Sequence, residues 1–222
     1  MVPSASVMSI VHRARYYSNR LVDRAADAIL GIRAQEVVKL ETLGVVAGDA
    51  QHYEGVPYLA LGRALHRLDI GPRDVFLDYG AGKGRAMAIA AMFPFARVLG
   101  VELMPQLARV GASNLERART RLRCRELQLV VGDAQTYEPL RDVTVFHLFN
   151  PFVGEVLRRV LGRIRASWVD HPRPITLLFA NPVHFEALLA QDPWLRLVRT
   201  VPWPLHAQEG AVPNYCYRIY RP

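Results

Sequence analysis

The chain has 222 residues, a length that suits one domain with a full hydrophobic core. Hydrophobic residues make up 51% of it and charged residues 22%, which are ordinary values for a globular protein. No apolar run approaches the roughly 20 residues that a membrane-spanning helix needs. Composition therefore excludes a disordered chain and a spanning protein, and no membrane partner is expected.

The net charge of +8 raises the question of a nucleic-acid partner, because clustered cations bind phosphates. Only Lys39 and Lys83 are lysine among the 28 basic residues, and the arginines are spread over the chain. A nucleic-acid partner is therefore not expected. The two cysteines, Cys124 and Cys216, form neither a disulfide framework nor a metal ligand set, which favours a reducing, cytoplasmic location.

Residues 8 to about 40 carry apolar side chains at helical spacing, which predicts an amphipathic helix whose apolar face seeks a partner. The members of this face are Ile10, Val11, Ala14, Tyr17, Leu21, Val22, Ala25, Ala28 and Ile29. A homodimer formed through this helix is one expected use of the face. Glycines then interrupt the pattern before a second short helix over 61–68. We expect residues 1–57 to form a helical extension or lid and residues 58–222 to form the main domain.

From residue 74 onward, short β-rich runs alternate with helical stretches, which predicts a parallel sheet with helices on both faces. The last two runs have no helical stretch between them, which predicts an antiparallel pair at one sheet edge. The predicted strands cover 75–78, 98–102, 127–131, 143–149, 175–180, 195–201 and 215–220. The expected fold is α/β, with a doubly wound, mostly parallel seven-stranded sheet, an antiparallel edge strand and N-terminal helices.

The first predicted strand runs into a glycine-rich turn, Asp78-Tyr79-Gly80-Ala81-Gly82-Lys83-Gly84, and a helix over 86–92 follows. Glycines let the backbone N–H groups of such a turn approach a ligand closely. The second strand ends in Glu102, where a carboxylate can accept hydrogen bonds from both hydroxyls of a ribose. The third strand is followed by Asp133, whose carboxylate could accept a hydrogen bond from the exocyclic amine of an adenine. These strand ends predict a nucleoside site. The alternative is that Asp78 closes a strand, Glu102 caps a helix and Asp133 belongs to an ordinary turn.

Two other nucleotide-binding motifs do not fit these residues. The dinucleotide fingerprint needs Gly or Ala where this chain has Arg85, and the actual glycine comes one residue early, at Gly84. A P-loop needs Ser or Thr after Lys83, where this chain has glycine. A dinucleotide-dependent oxidoreductase and a non-catalytic nucleotide sensor remain as weaker alternatives.

The turn resembles the acid-x-G-x-G-x-G motif of the class I S-adenosylmethionine (SAM)-dependent methyltransferases, and the resemblance covers roughly residues 53–222. It implies a seven-stranded, Rossmann-like transferase with SAM as its cofactor. The glycine turn would lie beside the methionine part of SAM, with Asp78 near the amino group, Glu102 on the ribose and Asp133 at the adenine. The cofactor-binding residues expected on this basis are Asp78, Gly80, Gly82, Gly84, Glu102, Asp133, Ala134 and Asn150.

Asn150-Pro151-Phe152 resembles the N-P-P-Y/F signature of amine methyltransferases, in which the side chain and a backbone carbonyl hold a planar nitrogen. One proline of that signature is missing here. Helix capping is the alternative, because Asn is a favoured N-cap and proline a favoured first helical residue. Asn181-Pro182 repeats the pair after the next strand, which favours capping.

Seven histidines are present, with no pair at a metal-ligand spacing on one helix face, so no metal is expected. His184 lies just beyond the fifth strand, where it could deprotonate a hydroxyl acceptor, and His206 is its rival. His147 lies in an apolar strand and is expected to be a satisfied core residue. Tyr53 and Tyr58 precede the sheet, where the family often places a lid over the cofactor, and the alternative is that they are surface aromatics flanking a turn.

The sequence therefore predicts a cytoplasmic SAM-dependent methyltransferase. Its expected acceptor is a hydroxyl, which is slightly favoured, or an amine on a small molecule such as a metabolite, sugar or natural product. An amine on a protein or another macromolecule is the alternative, because the chain also resembles the non-SET protein-lysine methyltransferases. The candidate catalytic residues are Asn150, His184 and His206, and the candidate substrate residues are Tyr53, Tyr58 and Phe152.

Overall fold

The computed structural model describes residues 20–35, 54–139, 141–180, 182–203 and 216–222. Its helices are α1 (residues 20–30), α2 (Tyr58–Leu65), α3 (Arg85–Ala91), α4 (Pro105–Ala118), α5 (Gly154–Asp170) and α6 (Val183–Leu189), and a 3-10 turn, Arg119–Arg121, follows α4. Its strands are β1 (Val75–Tyr79), β2 (Arg97–Glu102), β3 (Glu126–Val131), β4 (Val145–Leu148), β5 (Thr176–Ala180), β6 (Arg196–Pro202) and β7 (Cys216–Arg221). Within the described ranges, no helix is long and apolar enough to cross a membrane.

All seven strands belong to one sheet, in the order β3-β2-β1-β4-β5-β7-β6. Strands β1 to β5 pair in parallel, and β7 pairs antiparallel with both β5 and β6. The predicted mostly parallel sheet with an antiparallel edge is therefore confirmed. Because parallel strands end on the same side of a sheet, Asp78, Glu102 and Asp133 lie along one edge.

Two hydrophobic cores cover the two faces of the sheet. The first core includes apolar residues of α1, α2, α3 and α4, and the second includes those of α5 and α6. Successive residues of β1 alternate between them, with Phe76 in the first core and Leu77 in the second. Helices therefore pack on both faces, which confirms the doubly wound arrangement.

The predicted long N-terminal helix is wrong at its carboxyl end. Residues 31–35 are not helical, because Gly31 has a φ of 73°, the left-handed conformation that commonly ends a helix. The remaining parts of that prediction, before residue 20 and after residue 35, lie outside the described residues. Leu30 and Ile32 join the first core, and the domain boundary predicted at residue 57 stays a prediction.

Helix α1 packs through the face that carries Asp23, Asp27 and Leu30 rather than through the predicted apolar face. Asp23 and Asp27 are buried, whereas Leu21 and Ile29 are 64% and 66% exposed. The reason is the guanidinium of Arg85, which lies buried at the start of α3 and needs carboxylate partners. The apolar pattern could not show this, because the partner of Asp27 is 58 residues away in the sequence.

Candidate cofactor and acceptor site

The glycine turn, residues 80–84, connects β1 to α3. Its three glycines have positive φ values from 53° to 78°. Position 80 requires glycine for two reasons. Other residues rarely adopt its φ of 75°, and a Cβ there would collide with Pro151. The N–H groups of Gly80 and Ala81 donate to the Val101 carbonyl at 2.9 and 3.0 Å, which joins the turn to β2. The turn therefore runs close to the carboxyl ends of β2 and β4.

Helix α4 packs directly against the glycine turn. A Cβ on Gly111 would lie 3.0 Å from the Gly82 carbonyl oxygen, so a side chain there would push the two backbones apart. Asn114 is fully buried, and its Nδ2 donates to the Lys83 carbonyl at 2.8 Å. Its Oδ1 accepts the Arg33 N–H at 2.9 Å. Asn114 therefore connects the segment after α1 to the glycine turn.

Arg85, the residue after the turn, is held by α1 and α2. Its Nη2 lies 2.6 Å from Asp27 Oδ2, and its Nη1 lies 4.0 Å from Asp23 Oδ2. The Tyr58 hydroxyl donates to Asp27 at 2.8 Å, and the Tyr58 N–H donates to Asp23 at 2.9 Å. Burial raises the pKa of Asp23, while the Tyr58 N–H and the Arg85 charge oppose that rise. We call Asp23, Asp27, Tyr58 and Arg85 the α1 clamp.

Sequence reasoning missed the α1 clamp. The available signal was a pair of aspartates four residues apart, which places both on one helix face beside the apolar face. Tyr58 was expected to contact substrate, but the structure buries it and gives its hydroxyl to Asp27. A contact of Tyr58 with substrate stays a prediction.

Glu102 ends β2 with its carboxylate turned toward the glycine turn. Its Oε2 accepts the Gly82 N–H at 2.7 Å, and its Oε1 accepts the Met104 N–H at 2.8 Å. Burial raises the pKa of Glu102, and the same two N–H groups oppose that rise. A carboxylate has about four acceptor positions, so roughly two remain for a ligand such as a ribose. Glu102 thus hydrogen-bonds the backbone at the start of α4, in line with the alternative of a helix-capping role, and it keeps free acceptor positions for a ligand.

Asp133 shapes the turn that follows β3. Its Oδ1 accepts the Gln135 N–H at 2.8 Å, and its carbonyl accepts the N–H groups of Thr136 and Tyr137 at 3.1 and 2.9 Å. This pattern agrees with the structural alternative of an ordinary turn. Contacts of Asp133 and Ala134 with an adenine stay predictions.

Asp78, which lies just before the glycine turn, belongs to a buried chain of hydrogen bonds. His147 Nδ1 lies 2.6 Å from Asp78 Oδ1, and His147 Nε2 lies 2.9 Å from the Tyr217 hydroxyl oxygen. All three residues are buried, and burial together with the Asp78 charge raises the pKa of Tyr217. Both ring nitrogens of His147 have partners, so the expectation of a satisfied core histidine is confirmed. Because a carboxylate oxygen accepts hydrogen bonds, the contact with Asp78 assigns a proton to Nδ1 of His147.

Asn150 lies two residues beyond β4, next to the Pro151 that contacts Gly80. Its φ of 45° is uncommon for a residue other than glycine, although asparagine tolerates it better than most. The capping interpretation is wrong for this copy of the pair, because α5 begins at Gly154 and its N-cap is Val153. The side chain of Asn150 is half-buried and, among the described residues, has no hydrogen-bond partner. Capping therefore does not explain why asparagine stands here.

Several predicted site residues cannot be placed with the others. Tyr53, Asn181 and His206 lie outside the described residues, and so does the side chain of His184, whose backbone belongs to the first turn of α6. Phe152 is 7% exposed and packs in the second core. The catalytic and substrate roles of these residues stay predictions.

No protein-family model matches this chain. A protein-L-isoaspartate O-methyltransferase from Aeropyrum pernix is 40% identical to it over 75 residues, which make up 33% of this chain. The match spans 28% of the length of that relative.

Solved structures resemble this chain over about three quarters of its length. A TehB-like SAM-dependent methyltransferase from Corynebacterium glutamicum has a TM-score of 0.53 at 16% identity, covering 73% of this chain and 87% of that chain. A SAM-dependent methyltransferase from Aquifex aeolicus has a TM-score of 0.52 at 15% identity, covering 74% of this chain and 90% of that chain. Together with the strand order and the glycine turn, this likeness shows that the chain has the fold of the class I SAM-dependent methyltransferase family, as its sequence motif predicts.

Proposed function

We propose that this chain is a SAM-dependent methyltransferase whose acceptor is an amine nitrogen of a small molecule. The observation that carries the acceptor class is Asn150, which adopts a φ of 45° at the carboxyl end of β4 and caps no helix. Unusual backbone conformations that local structure does not explain occur most often at functional sites. Asn150 therefore replaces a hydroxyl-directed histidine as the favoured acceptor-binding residue.

The carboxylates at the carboxyl ends of β1, β2 and β3 fit SAM chemically. SAM offers a cationic amino group, ribose hydroxyls and an exocyclic amine, all of which are hydrogen-bond donors. The chain offers the carboxylates of Asp78, Glu102 and Asp133 in matching order on three adjacent strands, which lie about 4.8 Å apart. The positive-φ glycine turn leaves the space beside it free of side chains. When bound, SAM supplies a methyl group that its sulfonium already activates.

Asn150 would orient the acceptor nitrogen. Its Oδ1 and its backbone carbonyl are both acceptors, and each can accept an N–H of the amine, which leaves the nitrogen lone pair free to attack. The methyl carbon then gains a bond to nitrogen as its bond to sulfur breaks, and the extra proton on nitrogen passes to solvent. A neutral amine needs no base before attack, so orientation supplies most of the rate enhancement.

The architecture of the described residues supports a small-molecule acceptor. The described elements form one sheet with its covering helices, and they include no further module that would hold a macromolecule beside the acceptor site. The matched relative from Aeropyrum pernix is named as a protein methyltransferase, so protein acceptors belong in the test.

Calorimetry with the purified full chain tests the cofactor. We expect SAM and S-adenosylhomocysteine to bind, and NAD and NADP to give no heat at the same concentrations, because Arg85 stands where the dinucleotide fingerprint needs a small residue. Binding of NAD without binding of SAM would overturn the proposed function at its first step.

Asn150→Gly tests the acceptor class. Glycine suits a φ of 45°, so this variant removes the amide without adding backbone strain, and Asn150→Asp keeps the shape while adding a charge. Pools of small amines, small alcohols and proteins are screened by mass spectrometry for the gain of a methyl group. We expect a small amine as the acceptor, and turnover that falls roughly a hundredfold in Asn150→Gly with SAM affinity unchanged.

The matched control is Thr136→Ala, an exposed change near the carboxyl end of β3 that should leave turnover intact. His184→Ala separates the alternatives, because a hydroxyl acceptor needs a base. If His184→Ala abolishes turnover on an alcohol while Asn150→Gly stays active, the acceptor is a hydroxyl and the proposal is wrong. A methylated protein in place of a small amine would contradict the small-molecule part alone.

A further inference from the structure

Helix α1 carries an apolar stripe on its outer side that is exposed among the described residues. Leu21 and Ile29 are 64% and 66% exposed, Val22 is 36% exposed, and Ala25 and Ala28 between them are exposed as well. These positions share one helical face, because Val22, Ala25, Ala28 and Ile29 lie one, four, seven and eight residues beyond Leu21. We call these five residues the α1 stripe.

The exposed charge beside the α1 stripe is positive. Both aspartates of α1 are buried in the clamp with Arg85, and the exposed charged residue among residues 20–30 is Arg24. Arg33, four residues beyond Ile29, is exposed too. The fold therefore turns the negative charges of this helix inward and leaves cations next to its apolar face.

More arginines continue this surface at the end of α4. Arg117 Nε donates to the Gly31 carbonyl at 2.7 Å, so the last turn of α4 lies against the end of α1. Alternate residues from here on are exposed arginines, while Leu122 and Cys124 between them are buried. The members of this arginine run are Arg117, Arg119, Arg121, Arg123 and Arg125. The nearby carboxylates of Glu116 and Glu126 already face Arg119 and Arg97.

We propose that the α1 stripe and the arginine run form a docking surface for an anionic lipid membrane. An apolar helical face can enter the boundary between lipid headgroups and acyl chains while the arginines beside it bind lipid phosphates. The sequence predicts no membrane partner because it has no apolar run long enough to cross a bilayer. A helix that lies on the membrane surface needs no such run, and its exposed apolar face is known only from the structure.

Two other occupants fit the surface less well. A nucleic acid would use the arginines but would leave the exposed Leu21 and Ile29 without a role. A second copy of the chain would cover the stripe but would bring a second set of arginines, including its own Arg24 and Arg33, to the same interface, and like charges oppose such pairing.

Vesicle co-sedimentation of the full chain tests the proposal. We expect binding to phosphatidylcholine vesicles that contain phosphatidylglycerol, little binding to pure phosphatidylcholine, and weaker binding as salt is raised. The Leu21→Ser/Ile29→Ser double variant should lower vesicle affinity by roughly tenfold or more. The matched control is Val169→Ser, which removes a 59% exposed apolar side chain from α5 on the other face of the sheet and should change nothing.

The charge contribution has its own variants. Arg121→Gln/Arg123→Gln should weaken binding to anionic vesicles several-fold, and Arg158→Gln on α5, 60% exposed, should not. Circular dichroism and thermal unfolding check that each variant stays folded. Equal vesicle binding by the wild type and the stripe variant would overturn the proposal. So would RNA binding without vesicle binding, or a dimer in analytical ultracentrifugation that the stripe variant abolishes while vesicles stay unbound.

Discussion

Replacement of Arg85 by methionine removes the centre of the α1 clamp. Arg85 is 4% exposed, and Asp27 and Asp23 are 2% and 7% exposed, so the variant removes a buried guanidinium from two buried carboxylates. Breaking a buried ion pair costs about 3 to 5 kcal/mol of unfolding free energy. The Tyr58 hydroxyl still donates to Asp27, so we expect the lower end of that range, about 3 kcal/mol.

Urea unfolding followed by circular dichroism measures this loss. The matched control is Arg159→Met, which removes an arginine that is 59% exposed and lies 3.0 Å from Glu155. Exposed pairs of this kind contribute about 1 kcal/mol or less. If Arg85→Met is no more destabilising than Arg159→Met, the clamp does not hold α1 in the way the distances imply.

The cost of Arg85→Met should also depend on pH. Burial raises the pKa of Asp23 above its ordinary value of 3.8, and the Arg85 charge opposes that rise, so the variant raises this pKa further. A carboxyl group with a raised pKa in the folded state stabilises the fold below its unfolded pKa, and this contribution is lost as pH rises through the folded pKa. The difference between wild type and variant should therefore be largest at neutral pH and shrink toward pH 4. A difference that grows on acidification would contradict this assignment.

Three further variants test the cofactor half of the site. Glu102→Gln should weaken S-adenosylhomocysteine binding by roughly ten- to a hundredfold in calorimetry, since hydrogen bonds to a charged group contribute about 1.5 to 3 kcal/mol. Wild-type binding should weaken as pH falls through the raised pKa of Glu102, where the carboxylate becomes protonated, and the variant should lack this pH dependence. Gly80→Ala should abolish cofactor binding because its Cβ would collide with a neighbouring proline, whereas Gly62→Ala, with open space around it, should not. Tyr217→Phe should lower the unfolding free energy by about 1 to 3 kcal/mol, because Nε2 of buried His147 loses its donor, and an unchanged urea midpoint would speak against the hydrogen bond.

The sheet and the cofactor half of the site could be predicted from the sequence because both are local in the chain. Buried parallel strands are short apolar runs, and the polar residue that follows such a run lies at the ligand-binding edge of the sheet. Asp78 and Glu102 lie in the last two residues of their strands, and Asp133 lies two residues beyond its strand. The positive φ values of the glycine turn were likewise indicated by glycines at alternate positions.

The support of the site could not be predicted, because it depends on contacts between distant residues. Asp78 and His147 are neighbours only because β4 pairs with β1, with these two residues in register. Tyr217 reaches the same histidine only because β7 lies beside β5. The buried face of α1 was predicted wrongly for the same reason. Arg85, 58 residues from Asp27 in the sequence, draws the aspartate side of α1 into the protein.

These distant contacts converge on the five residues of the glycine turn. Glu102 accepts the N–H of Gly82 in the middle of the turn, and Asn114 on α4 donates to the Lys83 carbonyl. Asp78, two residues before the turn, is hydrogen-bonded to His147. Arg85 anchors the residue after the turn to α1. A loop that is fixed in this way before a ligand arrives loses less conformational entropy on binding, which favours affinity. Helix α1 therefore supports the cofactor site through its inner face, while its outer face carries the docking surface that we propose.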